Sequence, residues 1–587
     1  AAAEATRPAF GDAPASSGAD HADASDSSGM LRTASLLLAT RAARPTTNPV
    51  AAAGDGHTEQ DTSVLDVQLR AARQETVTLA PTPSDHSAIG TAAAFIPTLP
   101  VISANTTANS LVVEPDPALS DPAHGAVAPV VVPAAAAAAS LLAVAATALD
   151  LQAKGATFGA GGNETTSMTR GYTGSGITVG ILSDSFNTST SYDINGSRDT
   201  MATDIANGFL PGSTTVLKDS SGGTDEGRAM AQVVHEIAPG ANILFETGNS
   251  TQQQFANNIL DLAAHGAKVI VDDLGYYAEP NYQDGVIAQA IEKVESEGVV
   301  YLTAAGNDAA QGYEGAFAAG RTFTYGSQTF IADNFSTGGT ALSNSLLKIS
   351  TGQYGAVVNL EWESPAASAG GPGATSDLAI FLVDANGNLV SGPVSYTVGD
   401  AVVLGKDPYQ TVFIPGAENT DYLEVGLLSG SAAPADLKIT ANDDDGNVTL
   451  GPVASNINAG TLAGHAAAPG VIAVGAAFSG NTPAYGIAAP VSETYSSAGP
   501  DIVTYGDNGQ LLSTPRVAGV TATGVDGDIT SFFEGPTGDY GVGYGDYFFG
   551  TSAAAPSLAG VAALMLQENG ALTPSDVKNL LQDSATG

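Results

Sequence analysis

From residue 176 onward the apolar positions fall into short blocks separated by helical runs. GITVGILSDSF (176–186) is a brief apolar run ending in acid and small residues, the pattern of a central parallel strand and the loop at its carboxyl end. A helical run begins at Glu226, inside TDEGRAMAQVVHEIAPGA (224–241), and ANILFET (241–247) follows as a strand. QQQFANNILDLAAHG (252–266) and QDGVIAQAIEKVESEG (283–298) have the helical period, while KVIVDDLGY (268–276) and VVYLTAAGND (299–308) read as strands. Crossovers of a dozen or more residues between strands predict an open α/β sheet. Working side chains in such sheets gather at the carboxyl ends of strands, and Asp184, Asp273 and Asn307 fall there.

The texture changes near residue 325. QYGAVVNLEWES, SDLAIFLVDANGNLVSG, YQTVFIPG, TDYLEVGLLSG and ADLKITAND are alternating or apolar runs divided by Asn-Gly, Pro-Gly and Ser-Gly turns, which predicts a β-sandwich. The α/β texture returns with GVIAVGAAF (470–478) and closes with GTSAAAPSLAGVAALMLQE (550–568) and TPSDVKNLLQDS (573–584). The expected organisation is therefore an α/β domain in two parts, 166–324 and 455–587, interrupted by an inserted β-sandwich over 325–454. Residues 1–165 are rich in Ala, Ser, Thr and Pro, read as a mobile linker or pro-region with one helix at 63–75. The uncharged stretch Gly125–Leu149 is long enough to span a bilayer, but its alanines, two prolines and lack of flanking basic residues favour a linker and a short helix after Pro133.

Charge narrows the choice of partner. Sixty acidic against 19 basic residues give a formal charge of −41, which argues against nucleic acid and against contact with an anionic membrane. It fits a monomeric protein secreted into salty or divalent-cation-rich surroundings, or held at the cell surface. The chain has no Cys, which excludes disulfides, thiolate nucleophiles and cysteine metal sites. No cofactor is called for by any motif. Acidic loops such as NDDDGN (442–447) offer oxygen ligands of the kind Ca²⁺ takes, although a solvated acidic turn explains that loop equally well and it lacks the EF-hand spacing.

The strongest chemical signal is FFGTSAAAPSLAGVAALML. It places Ser552 at a helix N-terminus, where free N–H groups favour an alkoxide or an oxyanion. The same position suits a plain N-cap serine; the small residues Ala553–Ala555 permit close approach and favour a nucleophile. LTAAGND supplies Asn307, either as an oxyanion donor or as a residue tolerant of a left-handed turn. A serine needs a proton acceptor. His235 lies nine residues beyond Glu226, about 13–14 Å of rise and about 180° of rotation along a helix, so the two face opposite ways. HEIAP lacks the second His of a zinc motif, His265 ends a helix and His465 lies in a loop. Glu226 remains, opening its helix as Ser552 opens another.

In chain order these pieces resemble the subtilisin-like serine peptidases, within the wider group that includes the sedolisin carboxyl-serine peptidases. ITVGILSDSF is similar to the strand ending in the catalytic Asp, here Asp184. DEGRAMAQVV is similar to the helix normally opened by a histidine, with Glu226 in its place. YLTAAGND matches the oxyanion Asn motif at Asn307, and GTSAAAPSLAGVAALML the nucleophile helix at Ser552. APGVIAVGAA and TYSSAGP (494–500) are also family-like, and the likeness covers about 171–320 and 455–587. The resemblance implies a subtilisin-like open parallel sheet with flanking helices and a peptidase acting on proteins or peptides. It implies a substrate cleft lined by Leu274, Gly275, Tyr276, Ala304, Ala305 and Gly306. Asp273 stands where the family has a serine. If Asp273 or Asp184 meets Glu226, the pair would share a proton, as in the low-pH sedolisin group. The rival reading is a fold that has lost its base and serves as a binding or adhesion module. A lipid or polysaccharide hydrolase is weaker still, because Ser552 lacks the Gly-x-Ser-x-Gly elbow.

Overall fold

A computed structural model describes residues 172–585 with gaps at 190, 193–197, 310–311, 352–354, 391–404, 416–419, 443–447, 452–456, 479–490 and 534–545. Ahead of these it describes three short strands, Val101–Asn105, Ser110–Glu114 and Val130–Pro133. The three strands pair antiparallel in a stretch where composition predicts none; each carries two or more β-branched residues. The expected helix at 63–75 and the Ala-rich run after Pro133 lie outside the described residues. Among the described residues no helix is long and apolar enough to cross a membrane.

Seven strands build the central sheet: β1 (Thr178–Ser183), β2 (Thr215–Lys218), β3 (Asn242–Thr247), β4 (Val269–Asp272), β5 (Val300–Ala304), β6 (Ile472–Phe478) and β7 (Ala522–Asp526). Their spatial order is β2-β3-β1-β4-β5-β6-β7 and every neighbouring pair is parallel. The order reverses at β1, so the crevice outside its carboxyl end is the place for a ligand in a sheet of this kind. Six helices accompany the sheet: α1 (Met201–Asn207), α2 (Glu226–Ile237), α3 (Gln252–Ala264), α4 (Val286–Ser296), α5 (Thr551–Glu568) and α6 (Pro574–Ser584).

Strand alternation divides the core into two layers. Val179, Ile181, Val269, Val271, Val300 and Leu302 pack with α2 and α5, whereas Leu182, Ile270 and Tyr301 pack with α3 and α4. The same period sends Asp272 toward the α3/α4 layer and Asp273 toward the α2/α5 layer. In α5, Thr551 to Leu566 are all buried, and each large apolar side chain there contributes roughly 1.5–3 kcal/mol. Helices α2 and α5 approach closely at Gly560, where a Cβ would sit 2.8 Å from Ile237 Cβ. Leucine or even alanine at Gly560 would push the two helices apart.

Between β5 and β6 the chain makes two antiparallel sheets, with pairing from Gly312 to Ala459. GYEG (312–315) and INA (457–459) are too short for alternation to show, so the pairing extends past the alternating runs at both ends. Leu360, Trp362 and Ile439 of one sheet pack on Ile380 and Val425 of the other, forming a separate sandwich core. The opposite face of Gly355–Trp362 is buried against the α/β body: Asn359 Nδ2 donates to Tyr277 O (2.7 Å), and Asn281 N donates to Glu361 Oε2 (2.8 Å). The insert thereby fixes the segment that follows β4.

Candidate active site

Two helix mouths meet the carboxyl edge of the sheet. At the first, Thr551 donates to Asn307 Oδ1 through its backbone N–H and its hydroxyl, both at 3.0 Å, and Gly306 N donates to Thr551 Oγ1 at 3.2 Å. Gly550 has φ 103°, a left-handed conformation that favours glycine, and its N–H is held by Asp526 Oδ2 (3.1 Å) and Tyr495 Oη (3.2 Å). With Asn307 Oδ1 engaged by Thr551, the Nδ2 end lies toward the turn, 3.2 Å from where a Cβ on Gly550 would be. Ser552 is 8% exposed and backed by Ala553–Ala555, which are fully buried. Gly524 of β7 makes room for this turn of helix, since a Cβ there would lie 2.3 Å from Ala554 O. Pro556 supplies no N–H to the Ser552 carbonyl one turn back.

At the second mouth, Asp184 is fully buried just past β1. Its carboxylate accepts from Thr224 Oγ1 (2.7 Å), Glu226 N (3.0 Å) and the backbone N–H groups of Thr224 and Ser185. Asp184 thus contacts Glu226 through its backbone, occupying orphan donors of α2 that the N-cap residue Asp225 leaves uncapped. Burial pushes the Asp184 carboxyl up to about 6, partly offset by the hydrogen bonds from Thr224 and Ser185. Asp225 has φ 64°, unusual for a non-glycine residue. It is held there by Ser185 Oγ (2.9 Å), Thr188 N (2.8 Å) and Ser189 N (3.1 Å), all donating to its Oδ1. Gly227 lets the helix start this close to the loop after β1: a Cβ would lie 2.3 Å from the Phe245 ring and 2.9 Å from Ser185 O.

Glu226 is 1% exposed. Asp273, partly buried, accepts from Ser183 Oγ at Oδ2 (3.1 Å), while its buried Oδ1 has no hydrogen-bond partner. Burial raises the Asp273 carboxyl well above the usual range, and the charges of Glu226, then Asp184 and Asp272, raise it further. Glu226, Asp184 and Asp273 therefore form one carboxylate cluster. Both helices start at this edge: α2 is tied to the end of β1, α5 to the loop after β5. The Gly560–Ile237 contact lies eight residues past Ser552 and eleven past Glu226, so α2 and α5 run side by side with their mouths at one end.

The segments expected to line the cleft follow adjacent strands β4 and β5. Leu274 and Tyr276 are half-buried and Gly275 is exposed; Tyr276 Oη donates to Gly248 O at 2.5 Å. On the other side, Ala304 and Gly306 are half-buried, and Ala305 is buried with its N–H on Val474 O (2.9 Å).

Residues of the expected Ca²⁺ loop after Asn442 lie outside the described residues. Asp284, Glu292 and Asp507 bring carboxylate oxygens within 4.8 Å of one another, and Arg516 already bonds to Asp284 there. His235 sits in the last turn of α2 with burial pushing its pKa down to about 4, and His265 caps α3 beside Asp261. His465 corrects the reading as a loop residue. It belongs to a 3₁₀ turn, Gly464–Ala467, and is buried between Asp272 and Glu279. Arg228 is the other residue that sequence reasoning passed over. It is fully buried and bonded to Asp199 (2.7 Å), Asp204 and Asp225 (3.4 Å), with Phe532 stacked at 3.6 Å. No local signal marks it, because Gln232 and His235, one and two turns on, share its face of α2.

A sequence model of the Subtilase family matches residues 441–587, the segment that contains β6, β7 and the Ser552 helix. No curated protein matches the chain. Among solved structures, the CspB protease of Clostridium perfringens is similar at 13% identity over 70% of this chain and 88% of that one, with a TM-score of 0.38. A cold-adapted subtilisin-like serine proteinase is similar at 13% identity over 71% and 84%, TM-score 0.28. The self-cleaved protease domain of PatA gives 13% over 70% and 92%, TM-score 0.28.

Proposed function

We propose that this chain, a subtilisin-like serine peptidase, cuts internal peptide bonds with Ser552 as nucleophile and a carboxylate pair as its base. The observation that carries this reading is that two helices open at one edge of the sheet: Ser552 opens α5 beside the Asn307 amide, and Glu226 opens α2 beside Asp273 and Asp184. Ser552 Oγ attacks the substrate carbonyl while Glu226 accepts its proton. Asn307 Nδ2 and the Ser552 N–H receive the oxyanion at a helix N-terminus, where donors are already aligned. Glu226 then passes the proton to the leaving amine, and water attacks the acyl-enzyme by the same route in reverse.

The roles of the two aspartates differ from a simple Asp–base pairing. Asp184 holds the backbone of Thr224 and Glu226, so it positions the start of α2. Asp273, raised by burial and then by the charge of Glu226, is the carboxyl that shares a proton with it. Leu274, Gly275, Tyr276, Ala304, Ala305 and Gly306 flank the substrate chain. Protein or peptide substrates, secretion, and a monomeric state away from nucleic acid and membranes accompany this reading, on the −41 charge. Any Ca²⁺ would serve stability, because no step above needs a metal.

The test is a fluorophosphonate serine probe applied from pH 4 to pH 8. Labelling should fall on Ser552, be abolished in S552A, and favour the acid to mildly acidic side, since an ordinary Glu titrates near 4.3. No labelling at any pH, or a single histidine-like limb near pH 7, would sink the assignment.

A further inference from the structure

We infer that His465 is a positioning residue of this site: clamped between Asp272 and Glu279 behind β4, it fixes the strand end that carries Asp273 and the charge that the Glu226–Asp273 pair faces. The inference rests on the function proposed above.

His465 is 3% exposed, and both ring nitrogens face carboxylates. Nδ1 lies 2.9 Å from each oxygen of Glu279, and Nε2 lies 3.1 Å from Asp272 Oδ1. A neutral imidazole has one donor and one acceptor nitrogen, and the acceptor would then point its lone pair at a carboxylate. Only the imidazolium donates on both sides. Burial alone would drive that proton off, but the charges of Glu279 and Asp272 outweigh it and hold the ring's pKa well above its ordinary value. The surrounding groups are consistent with a net negative pocket. Thr303 Oγ1 donates to Asp272 Oδ1 (2.8 Å), and the Tyr276 and Tyr301 phenols are both raised, chiefly by burial and then by the charges of Glu279 and Asp272. Phe255 of α3 lies 5.7 Å from the imidazole, and Glu295 of α4 lies against Gly470, three residues past the turn.

The clamp connects to the cleft in two ways. Asp272 and Asp273 are consecutive, pointing to opposite layers, and Asp272 Oδ1 also accepts from Leu274 N at 3.3 Å, so the clamp holds the peptide on which Asp273 sits. Asp272 is in addition one of the charges that raise Asp273. His465 offsets one of the two carboxylates behind the strand. Without it, Asp273 and Glu226 face a more negative background. The turn carrying His465 is itself bonded to Asn281 (Gly464 N to Asn281 Oδ1, 3.2 Å), and Asn281 is gripped by Glu361 of the inserted sandwich.

Two measurements decide the matter. In ¹⁵N-histidine-labelled S552A protein, the His465 signal, assigned by its loss in H465Q, should keep both ring protons at pH 8. A neutral ring at pH 7 would overturn the clamp, independently of any catalysis. In the active protein, H465Q should move the acid limb of the kcat profile to higher pH, by up to about one unit, and H465Q/D272N should bring it back. An active H465Q enzyme that loses stability while its limb stays put overturns the positioning role alone. A parent protein with no activity overturns the proposed function instead, recognisable because His465 still carries both protons.

Discussion

The two faces of α2 solve opposite problems with the same residue type. Glu226 and Arg228 are two positions apart, about 200° around the helix. On the Arg228 side, Asp199, Asp204 and Asp225 surround a guanidinium that also donates to Phe186 O at 2.9 Å. On the Glu226 side, Asp184 and Asp273 receive hydrogen bonds from backbone N–H groups and the hydroxyls of Thr224 and Ser183, all neutral. A buried acid cluster built around a cation is a frame: the guanidinium ties the carboxyl groups to one another. A cluster held by neutral donors keeps an affinity for protons near working pH, which a general base needs. Asp204 is intermediate, its carboxyl raised to about 7 by burial despite Arg228.

The sharpest way to break this contrast is to neutralise one member on each face. E226Q should keep the fold and lose about 10²–10⁴-fold in kcat, the range for removing a general acid–base, as read by peptide hydrolysis alongside a thermal melt. R228M should do the reverse. It leaves three carboxylates buried without their cation, at a cost of about 3–5 kcal/mol in urea unfolding, with residual activity following the folded fraction. If R228M is as stable as the parent, the Arg228 cluster is not the frame of the α2 mouth.

Stability against pH extends the comparison to the whole molecule. Burial lifts Asp184 to about 6, Asp526 and Asp308 to about 7 and Glu295 to about 8. Each folded value lies above the unfolded one, so the stabilisation is complete below about pH 4 and is lost as pH rises through the folded values. His465 has the same sign, losing its contribution as pH climbs above 6.5 toward its raised pKa. His235, lowered to about 4, works the other way between 6.5 and 4. The raised acids outnumber it, and fully buried Asp184 alone is worth up to about 3 kcal/mol. Melting temperature at fixed ionic strength should therefore fall from pH 5 to pH 8. A rise over that interval would mean that the buried acids are matched by cations.

How much of this was legible follows from distance along the chain. The parallel strands announce themselves because both faces are buried, so β1, β4 and β5 are unbroken apolar runs ending in acid or Gly-Asn. The Ser552 turn is local, with glycine, hydroxyls and small residues adjacent to one another. What could not be read is what joins distant segments. His465 meets Asp272 and Glu279 across 193 and 186 positions, and Arg228 meets Asp199 and Asp204 across 29 and 24 with nothing local to distinguish it from a solvated helix arginine. Asp184 was legible as the acid at a strand end, but its attachment to the backbone of Glu226 depends on how the 41-residue segment between them, which holds α1 and β2, closes.

The finest discrimination lies within the uncompensated cluster, between Asp184 and Asp273 as partner of Glu226. Asp184 spends its oxygens on N–H and hydroxyl donors at the helix mouth, whereas Asp273 keeps a buried Oδ1 with no hydrogen-bond partner and is raised by Glu226 ahead of any other charge. A proton shared with Glu226 would satisfy that oxygen. D273N removes the shared proton and retains the shape, so the ionised Glu226 loses its O–H donor and holds its own proton more tightly. The acid limb of kcat should move to higher pH while the plateau changes far less than in E226Q, because Ser552, Asn307 and Glu226 all remain. D184N should instead loosen the start of α2 and lower the plateau, because its contacts are with backbone, and should move the limb to lower pH, because its charge is one of those that raise Asp273. If D184N moves the limb to higher pH and D273N does not, the proton is shared at β1, and the contrast between a frame carboxylate and a working one must be redrawn within the cluster itself.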